Sequence, residues 1–315
     1  MPGVRFAVMI EGQEDVTWDD WVALAEACER LGFEALFRSD HYLSDRAGAG
    51  AFGSLDAWAT VCALAAVTST VRLGTLVSPA SFRHPSVLAK NAVTADHVSG
   101  GRVELGIGTG WMELEHRTYG FAFPAMKTRM DRLAEQLEII HGSWSEGPFD
   151  YAGEHWSVER LDARPKPLQD PLPVLMGGAA APRGAALAAR FAAEYNVVSA
   201  SPDEAAAAGA RLDAACEREG RDPATLAHSL MHAFLIGADE DDLRARVARM
   251  AEWQGRALDA DELRRTWIAG TPDEIVARLR EYEAAGVRRV MLQHLLHRDV
   301  EALELIAAEV VPAFT

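Results

Sequence analysis

The chain has 315 residues, of which 49% are hydrophobic and 25% are charged, and this is enough apolar material for a large globular core. Its formal net charge of −16 argues against a nucleic-acid-binding protein, because neutralising phosphates needs a basic face. No apolar run approaches the roughly 20 residues of a membrane helix, and the N-terminus lacks a signal-peptide pattern. We therefore expect a cytoplasmic protein with no nucleic-acid or membrane partner.

Strand and helix patterns alternate along the chain. Short apolar segments predict eight strands, at residues 4–10, 34–37, 71–77, 103–107, 173–176, 194–198, 226–236 and 288–292. Helical patterns lie between them, at residues 17–31, 55–67, 87–98 and 129–144, after residues 201 and 271, and at 300–311. Strand number and length favour an α/β fold of the (β/α)₈ TIM-barrel type over an open doubly wound sheet. We expect one domain over residues 1–315, with an irregular insertion around residues 145–172.

Three helix starts carry a capping pattern. Thr17 with Asp20 forms a capping box at the first helix, which Gly32 is placed to end. The stretches Ser201-Pro202-Asp203-Glu204 and Thr271-Pro272-Asp273-Glu274 each place a hydroxyl before a proline and a glutamate at the third helical position. These signals place two later helices although their interiors are rich in alanine or charge.

The cysteines Cys28, Cys62 and Cys216 are odd in number and far apart, and no CxxC pair occurs. This spacing predicts neither a disulfide framework nor a zinc site. We interpret the three residues as small apolar side chains in helices, in keeping with a reducing compartment.

In a βα barrel, functional residues lie where the strands end and the βα loops begin. That rule selects residues after the second, third, fourth, fifth and eighth strands, namely Asp40 and His41, Leu76 to Ser78, Gly108 to Trp111, Gly177 and Gly178, and Gln293 and His294.

Asp40 and His41 interrupt an apolar segment at the end of the second strand. A neutral imidazole can donate and accept a proton near neutral pH, and a neighbouring carboxylate favours its charged form. The pair is therefore a candidate for proton transfer. The alternative is a loop pair that caps the next helix or lies in solvent.

The stretch "GIGTGW" begins like a dinucleotide-binding fingerprint, with Gly106 and Gly108, but Trp111 occupies the position of the third glycine. This excludes a Rossmann site. We interpret the stretch as a glycine-rich strand end that lets a flat ligand approach the backbone, the alternative being a tight turn. Gly177 and Gly178 precede a helix, where backbone N–H groups can hold a phosphate, and a simple glycine turn is again the alternative.

A Glu-x-x-His spacing occurs twice, from Glu113 to His116 and from Glu138 to His141. Such pairs bind two metal ions in helical bundles. Here Glu138 and His141 lie off the apolar stripe of their helix, so we expect a solvated face and no metal site.

Five stretches that span nearly the whole chain resemble the bacterial luciferase-like family of flavin and deazaflavin oxidoreductases. They are "ERLGFEALFRSDH", "VRLGTLVSPASFRHPSVLAKNAVTADHVSGGRVELGIGTGW", "YGFAFPAMKTRMDRLAEQLEII", "PVLMGG" and "AGTPDEIVARLREYEAAGVRRVMLQHL". The chain looks most similar to the branch that uses coenzyme F420, an 8-hydroxy-5-deazaflavin.

The resemblance implies a barrel with the tricyclic ring of the cofactor in its mouth. Asp40 and His41 match the pair next to the ring, with His41 as general acid or base. Leu76 and Val77 match a cis peptide bond that backs the ring. The remaining cofactor-binding positions implied are the strand-four wall, Thr109, Gly110 and Trp111, and the phosphate loop, Gly177 and Gly178.

The resemblance also implies the activity, which is hydride transfer between F420 and a small organic substrate. The alternatives are an FMN-dependent monooxygenase of the same fold and a flavin or deazaflavin carrier without catalysis. The chain lacks the long insertions of many FMN monooxygenases, which favours F420. A sugar-phosphate branch has Glu where this chain has Trp111 and Trp where it has Asp45, so its substrate is not expected here.

Several side chains suggest an apolar, aromatic-lined pocket for a planar substrate, namely Tyr42, Phe82, Trp111, Met112 and His294, although they can equally be packing residues. The acidic tail of the coenzyme needs a basic partner, and Arg183 is the candidate because it follows the glycine loop. A homodimer, common in the family, is expected.

Overall fold

The computed structural model describes residues 3–44, 46 and 52–314. Its strands are β1 (Arg5–Ile10), β2 (Ala35–Arg38), β3 (Arg72–Thr75), β4 (Ser78–Pro79), β5 (Val103–Gly108), β6 (Phe149–Ala152), β7 (Ser157–Leu161), β8 (Val174–Gly177), β9 (Glu194–Val198), β10 (Ala227–Ile236), β11 (Ile268–Gly270) and β12 (Arg289–Gln293). Its helices are α1 (Trp18–Leu31), α2 (Ala57–Val67), α3 (Pro85–Ser99), α4 (Glu113–Tyr119), α5 (Met126–Trp144), α6 (Pro182–Phe191), α7 (Pro202–Arg218), α8 (Glu240–Gln254), α9 (Ala260–Thr266), α10 (Pro272–Ala284) and α11 (Val300–Leu305).

Eight of these strands, counted over the described ranges, pair in parallel and close into a barrel. The order around the barrel is β1, β2, β3, β5, β8, β9, β10 and β12, which pairs with β1 again. Helices cover the outside, so each strand is buried on both faces and is almost continuously apolar. This is the predicted (β/α)₈ TIM barrel, and the open-sheet alternative is excluded by the pairing of β12 with β1.

The alternation of side chains along the strands divides the core into two parts. One set packs inside the barrel, comprising Ala7, Met9, Ala35, Phe37, Leu76, Leu175, Met231 and Met291. The neighbouring residues of the same strands point outward and form a larger cluster with the helices. On β1, for example, Met9 faces inward while Val8 and Ile10 face the helices. The barrel interior is therefore packed, and a ligand has room only at its ends.

The capping signals are confirmed. Thr17 and Asp20 form a capping box, and Gly32 ends α1 in the left-handed conformation. The same reciprocal bonds begin α7 at Ser201. At the start of α10, the Glu274 carboxylate accepts from the backbone N–H of Thr271 at 2.8 Å and from its hydroxyl at 3.2 Å. The predicted closing helix differs, because it is α-helical only over Val300–Leu305 and continues as a π turn.

The structure differs from the sequence-based prediction in three segments. The insertion contains an antiparallel hairpin, in which β6 pairs with β7. The predicted third strand is interrupted by a cis peptide bond between Leu76 and Val77, after which β4 pairs with β5. The short helix α4 has no side-chain cap, so no sequence signal marked its start.

A buried ion network closes the amino-terminal end of the barrel. The Arg289 guanidinium donates to both oxygens of Glu104, at 3.0 and 2.6 Å, and to Glu194 at 3.1 Å. Arg72 donates to Glu104 at 2.6 Å. Burial raises the pKa of Glu104, but Arg289 and Arg72 outweigh it and hold that pKa at about 2. Charges therefore fill this end of the barrel, and the apolar interior separates them from the opposite rim.

Among the described residues, no helix is both long enough and apolar enough to cross a membrane. Cys28, Cys62 and Cys216 are free thiols on α1, α2 and α7, as the sequence predicted.

Candidate functional site

A cavity of about 710 Å³ opens at the carboxyl ends of the strands. All eight barrel strands or the loops directly after them contribute to its wall. The lining residues are Met9, Glu11, Gln13, Glu14, Ser39, His41, Arg46, Leu76, Val77, Pro79, Gly108, Thr109, Gly110, Trp111, Gly177, Gly178, Val198, Met231, Trp253, Gln254, Gln293 and Leu295. This is the end at which βα barrels carry their active sites, and the volume suits an organic cofactor with a small substrate.

His41 lines this cavity and is held by Glu115, a residue that the sequence did not single out as its partner. Nδ1 of His41 lies 3.0 Å from Oε2 of Glu115, which is fully buried at the start of α4. The other oxygen, Oε1, accepts hydrogen bonds from the backbone N–H groups of Tyr42 and Leu43. Because Nδ1 faces the carboxylate, Nε2 is the ring nitrogen left for proton exchange with a ligand.

Burial lowers the pKa of His41, but the hydrogen bond and the charge of Glu115, with smaller contributions from Glu11 and Asp40, outweigh it. The pKa is therefore raised above the ordinary value of 6.5. A raised pKa means that the protonated imidazole stabilises the fold. This contribution is fully present below pH 6.5 and is lost as the pH rises through the raised pKa.

Replacing Glu115 with glutamine should lower the pKa of His41, because the negative charge at Nδ1 is removed. Glutamine keeps an oxygen for the two backbone N–H groups, so the loop should persist. Titration of ¹⁵N-labelled histidines by NMR measures the pKa, and a His41→Asn sample identifies the signal. The control is Glu113→Gln, an exposed position on the same helix. A His41 pKa that stays constant or rises in Glu115→Gln would contradict this coupling.

The predicted cofactor-binding positions other than Asp40 and Arg183 lie together on the cavity wall. Leu76 and Val77 line it on either side of the cis peptide bond. Thr109 to Trp111 follow β5 and Gly177 and Gly178 lie at the end of β8, the strand paired with β5, and both groups line the cavity. Gly110 has φ +76° and Gly178 has φ +145°, conformations that side-chain-bearing residues rarely adopt. The glycine-containing part of the wall therefore presents backbone to the cavity.

Trp111 stands at the rim, with 61% of its surface exposed and its ring edge-on to His41 at 5.5 Å between centroids. An exposed indole beside a flat cavity can cover one face of an aromatic ligand.

Asp40 does not line the cavity. It is buried behind the wall, where it accepts hydrogen bonds from Ser78 Oγ at 2.6 Å and from the guanidinium of Arg83. Arg83 also bonds to Asp56, at 2.8 Å. The Asp40 carboxylate is thus engaged in an internal ion pair with Arg83. The structure gives Asp40 a supporting place under the His41 loop and no direct access to a ligand in this cavity.

The three predicted substrate-binding residues also lie outside the lining. Tyr42 stacks on Phe82 at 5.3 Å and donates to Asp56 at 2.9 Å. Met112 is buried at the start of α4. His294 is buried and stacks on Phe234 at 5.2 Å, and burial lowers its pKa to about 4. These residues pack the fold around the site, which is the alternative that the sequence left open.

Three amide and carboxylate side chains form another part of the wall, and of these the strand-end rule selected Gln293 but not Glu11 or Gln13. Glu11 follows β1, Gln293 ends β12, and Gln13 lies between β1 and α1. Nothing in the linear pattern sets Glu11 and Gln13 apart, because Gln293 becomes their neighbour only when β12 pairs with β1.

Two basic residues lie near the glycine loop: Arg183, the predicted partner of the coenzyme tail, and Arg211, which the sequence did not single out. Arg183 is exposed and pairs with Asp131 at 2.5 Å. Arg211 of α7 instead donates to the carbonyl oxygens of Ala179 and Ala180, both at 3.1 Å. Its guanidinium is therefore the charge directly beside the loop that contains Gly178.

The solvated-face interpretation of the Glu-x-x-His pairs holds for Glu113, which is exposed, and is wrong for His116, which is buried, while Glu138 and His141 are partly buried. His116 is fully buried, and its Nδ1–H donates to the Met112 carbonyl at 2.8 Å while Nε2 accepts from Ser81 Oγ at 2.6 Å. His141 packs against the ring of Phe191 at 5.1 Å. No group of metal-binding side chains occurs within the described part of the chain.

Fold and site together define a (β/α)₈-barrel protein with a ligand cavity at the carboxyl rim. The chain belongs to the luciferase-like monooxygenase family, whose model matches residues 4–289.

Individual relatives include both monooxygenases and F420-dependent enzymes. Pyrimidine monooxygenase RutA of Stutzerimonas stutzeri is 32% identical over 226 residues, which cover 68% of this chain and 58% of that protein. F420-dependent glucose-6-phosphate dehydrogenase of Nakamurella multipartita is 29% identical over 339 residues, covering 99% of this chain and 96% of that protein. The solved structure of the coenzyme F420-dependent tetrahydromethanopterin reductase from Methanopyrus kandleri matches with a TM-score of 0.82 at 23% identity, covering 99% and 100% of the two chains. That likeness shows the fold.

The structure describes one of the two positions at which the chain departs from the sugar-phosphate branch. Trp111 lies at the cavity rim, whereas Asp45 falls outside the described residues.

Proposed function

We propose that the protein is an F420-dependent oxidoreductase that transfers a hydride between the deazaflavin and a small organic substrate. The observation that carries this proposal is His41, which lies on the wall of a flat, glycine-lined cavity and is bound to a buried carboxylate. When bound, F420 supplies or accepts a hydride, and reduction of a C=O, C=N or C=C bond also needs a proton. His41 provides that proton through Nε2, or accepts it in the reverse direction.

The residues present fit the cofactor. The exposed backbone of Gly177 and Gly178 and the side chains of Leu76 and Val77 leave a flat slot for a tricyclic ring. A Cβ at Gly108 would lie 2.8 Å from Val77 Cγ2, so a larger residue there would displace Val77 from its place on the wall. Arg211 takes the place of Arg183 as the proposed partner of the acidic tail.

The choice of F420 over FMN is supported by how the relatives align. The F420-dependent relative corresponds to 99% of this chain and 96% of its own length, whereas the monooxygenase match covers 58% of that relative. We do not propose the sugar-phosphate substrate of the F420-dependent relative for this protein, because Trp111 replaces the glutamate of that branch.

Separate titrations of the purified protein with F420 and with FMN should show tighter binding of F420. Ligand-induced quenching of tryptophan fluorescence measures both affinities. Tenfold tighter binding of FMN, about 1.4 kcal/mol, would overturn the choice of cofactor.

The second candidate is a monooxygenase that uses reduced FMN. It is favoured by the 32% identity with pyrimidine monooxygenase RutA. If this candidate is correct, the protein should take up oxygen when it is given reduced FMN and a substrate. The F420-dependent reaction should take up none.

We also propose a homodimer. Val67 on α2 and Val87 and Val98 on α3 are 57%, 52% and 46% exposed on two helices that pack together. Apolar side chains grouped on a surface are typical of an interface. Light scattering should give twice the 34.2 kDa of one chain.

A further inference from the structure

Glu11 occupies a distinctive position in the cavity, because the groups that hold it are two neutral amides. Nε2 of Gln293 donates to Oε1 of Glu11 at 2.5 Å, and Nε2 of Gln13 donates to Oε2 at 2.8 Å. Each carboxylate oxygen therefore has one amide donor. Since a carboxylate offers about four acceptor positions, Glu11 keeps capacity for further donors.

The orientation of the Gln13 amide follows from its surroundings. The backbone N–H of Gly12 donates to Ser39 Oγ at 2.8 Å, so the Ser39 hydroxyl donates onward to Gln13 Oε1 at 2.6 Å. The amide oxygen of Gln13 is thereby occupied, and its NH₂ group must face Glu11. This chain of hydrogen bonds holds the Glu11 carboxylate as an acceptor.

The other carboxylate on the cavity wall is balanced by a cation. Glu14 is buried and pairs with Arg46 at 3.0 Å. Arg46 in turn stacks over the ring of Trp253, at 3.7 Å from its centroid. The positive charge of Arg46 thus balances the carboxylate of Glu14. Glu11, with neutral partners, gives the substrate side of the cavity a negative character.

We propose that Glu11 selects the substrate: it receives a hydroxyl or amine hydrogen of the substrate and disfavours a carboxylate or phosphate at that place. The proposal rests on the proposed function, because it assumes that the cofactor lies against the glycine-lined wall and the substrate on the Glu11 side. His41 and Glu11 line the same cavity, and the charge of Glu11 contributes to the raised pKa of His41. A donor group bound to Glu11 is therefore close enough to interact electrostatically with the residue that transfers the proton. Alcohols and amines, or the carbonyl and imine compounds that interconvert with them, are the substrate class that this pairing fits.

Four cyclohexyl probes of similar size test the selection. Cyclohexylmethanol, cyclohexylmethylamine, cyclohexanecarboxylate and the methyl ether of cyclohexylmethanol are titrated by calorimetry into the cofactor-loaded protein at pH 7. The alcohol and the amine should bind at least about tenfold more tightly than the carboxylate and the ether. The ether replaces the O–H donor of the alcohol by O–CH₃, and the carboxylate differs in charge.

The isosteric variant Glu11→Gln should reduce the discrimination against the carboxylate by about tenfold. Glu113→Gln removes the same charge from an exposed position outside the cavity and should leave the ranking unchanged. The wild-type ranking alone tests the proposal if Glu11→Gln fails to fold. Equal or tighter binding of the carboxylate or the ether, no detectable binding of the alcohol and amine, or an unchanged ranking in folded Glu11→Gln would overturn it.

The two proposals fail in different ways. The titrations use whichever of F420 or FMN the protein binds, so a wrong choice of cofactor shows in the cofactor affinities. The probe ranking depends on Glu11 and is read as heat of binding to the protein loaded with reduced cofactor, which cannot accept a hydride from the alcohol or the amine.

Discussion

Replacing His41 by asparagine should lower turnover by about 10²- to 10⁴-fold, the range expected when a general acid or base is removed. Asparagine keeps an N–H donor that can reach Glu115, so the loop after β2 should hold its shape. It cannot exchange a proton near neutral pH. Single-turnover oxidation of reduced F420 by the best acceptor from a panel of ketones and imines measures the step.

The affinity for F420 should change little in His41→Asn, because the glycine-containing part of the wall that we assign to the cofactor is formed by other residues. His97→Asn is the matched control, since His97 lies exposed at the end of α3, far from the cavity. The pH dependence adds a second readout, because the limb that reports His41 should disappear in the variant. Wild-type turnover in a folded His41→Asn protein would remove His41 from the mechanism.

Replacing Arg289 by methionine should destabilise the fold by about 3–5 kcal/mol, as happens when one partner of a buried ion pair is removed. The methionine fills much of the volume, but Glu104 and Glu194 lose the cation that both of them contact. Arg72 remains near Glu104 and cannot serve both carboxylates. Urea unfolding followed by tryptophan fluorescence measures the change.

Arg5→Met provides the comparison. Arg5 lies at the same end of the barrel but is 44% exposed, so its ion pair with Glu34 should contribute less than about 1 kcal/mol. The penalty for Arg289→Met should also depend on pH. The pKa of Glu104 is lowered from 4.5 to about 2, so its pairing stabilises the fold above pH 4.5 and is lost as the pH falls towards 2. Equal effects of the two substitutions at pH 7 would contradict the role of the buried network.

The strand-end rule was more useful for the backbone than for the side chains. It placed Gly108 to Trp111 and Gly177 and Gly178 on one wall, because parallel strands bring their carboxyl ends to the same rim. It also selected Asp40 and His294, which the fold turns away from the cavity. Position after a strand indicates the end of the barrel at which a residue lies, but not the direction of its side chain.

The sequence by itself determined the barrel, the starts of the capped helices and the rim at which the site lies, because these depend on local periodicity, capping residues and the spacing of short apolar strands. Only the tertiary structure decided the partners. Glu115 meets His41 across 74 positions, and Gln293 meets Glu11 across 282. Such pairs form when closure of the barrel brings distant strand ends together, and a one-dimensional pattern carries no record of which polar side chains then face each other.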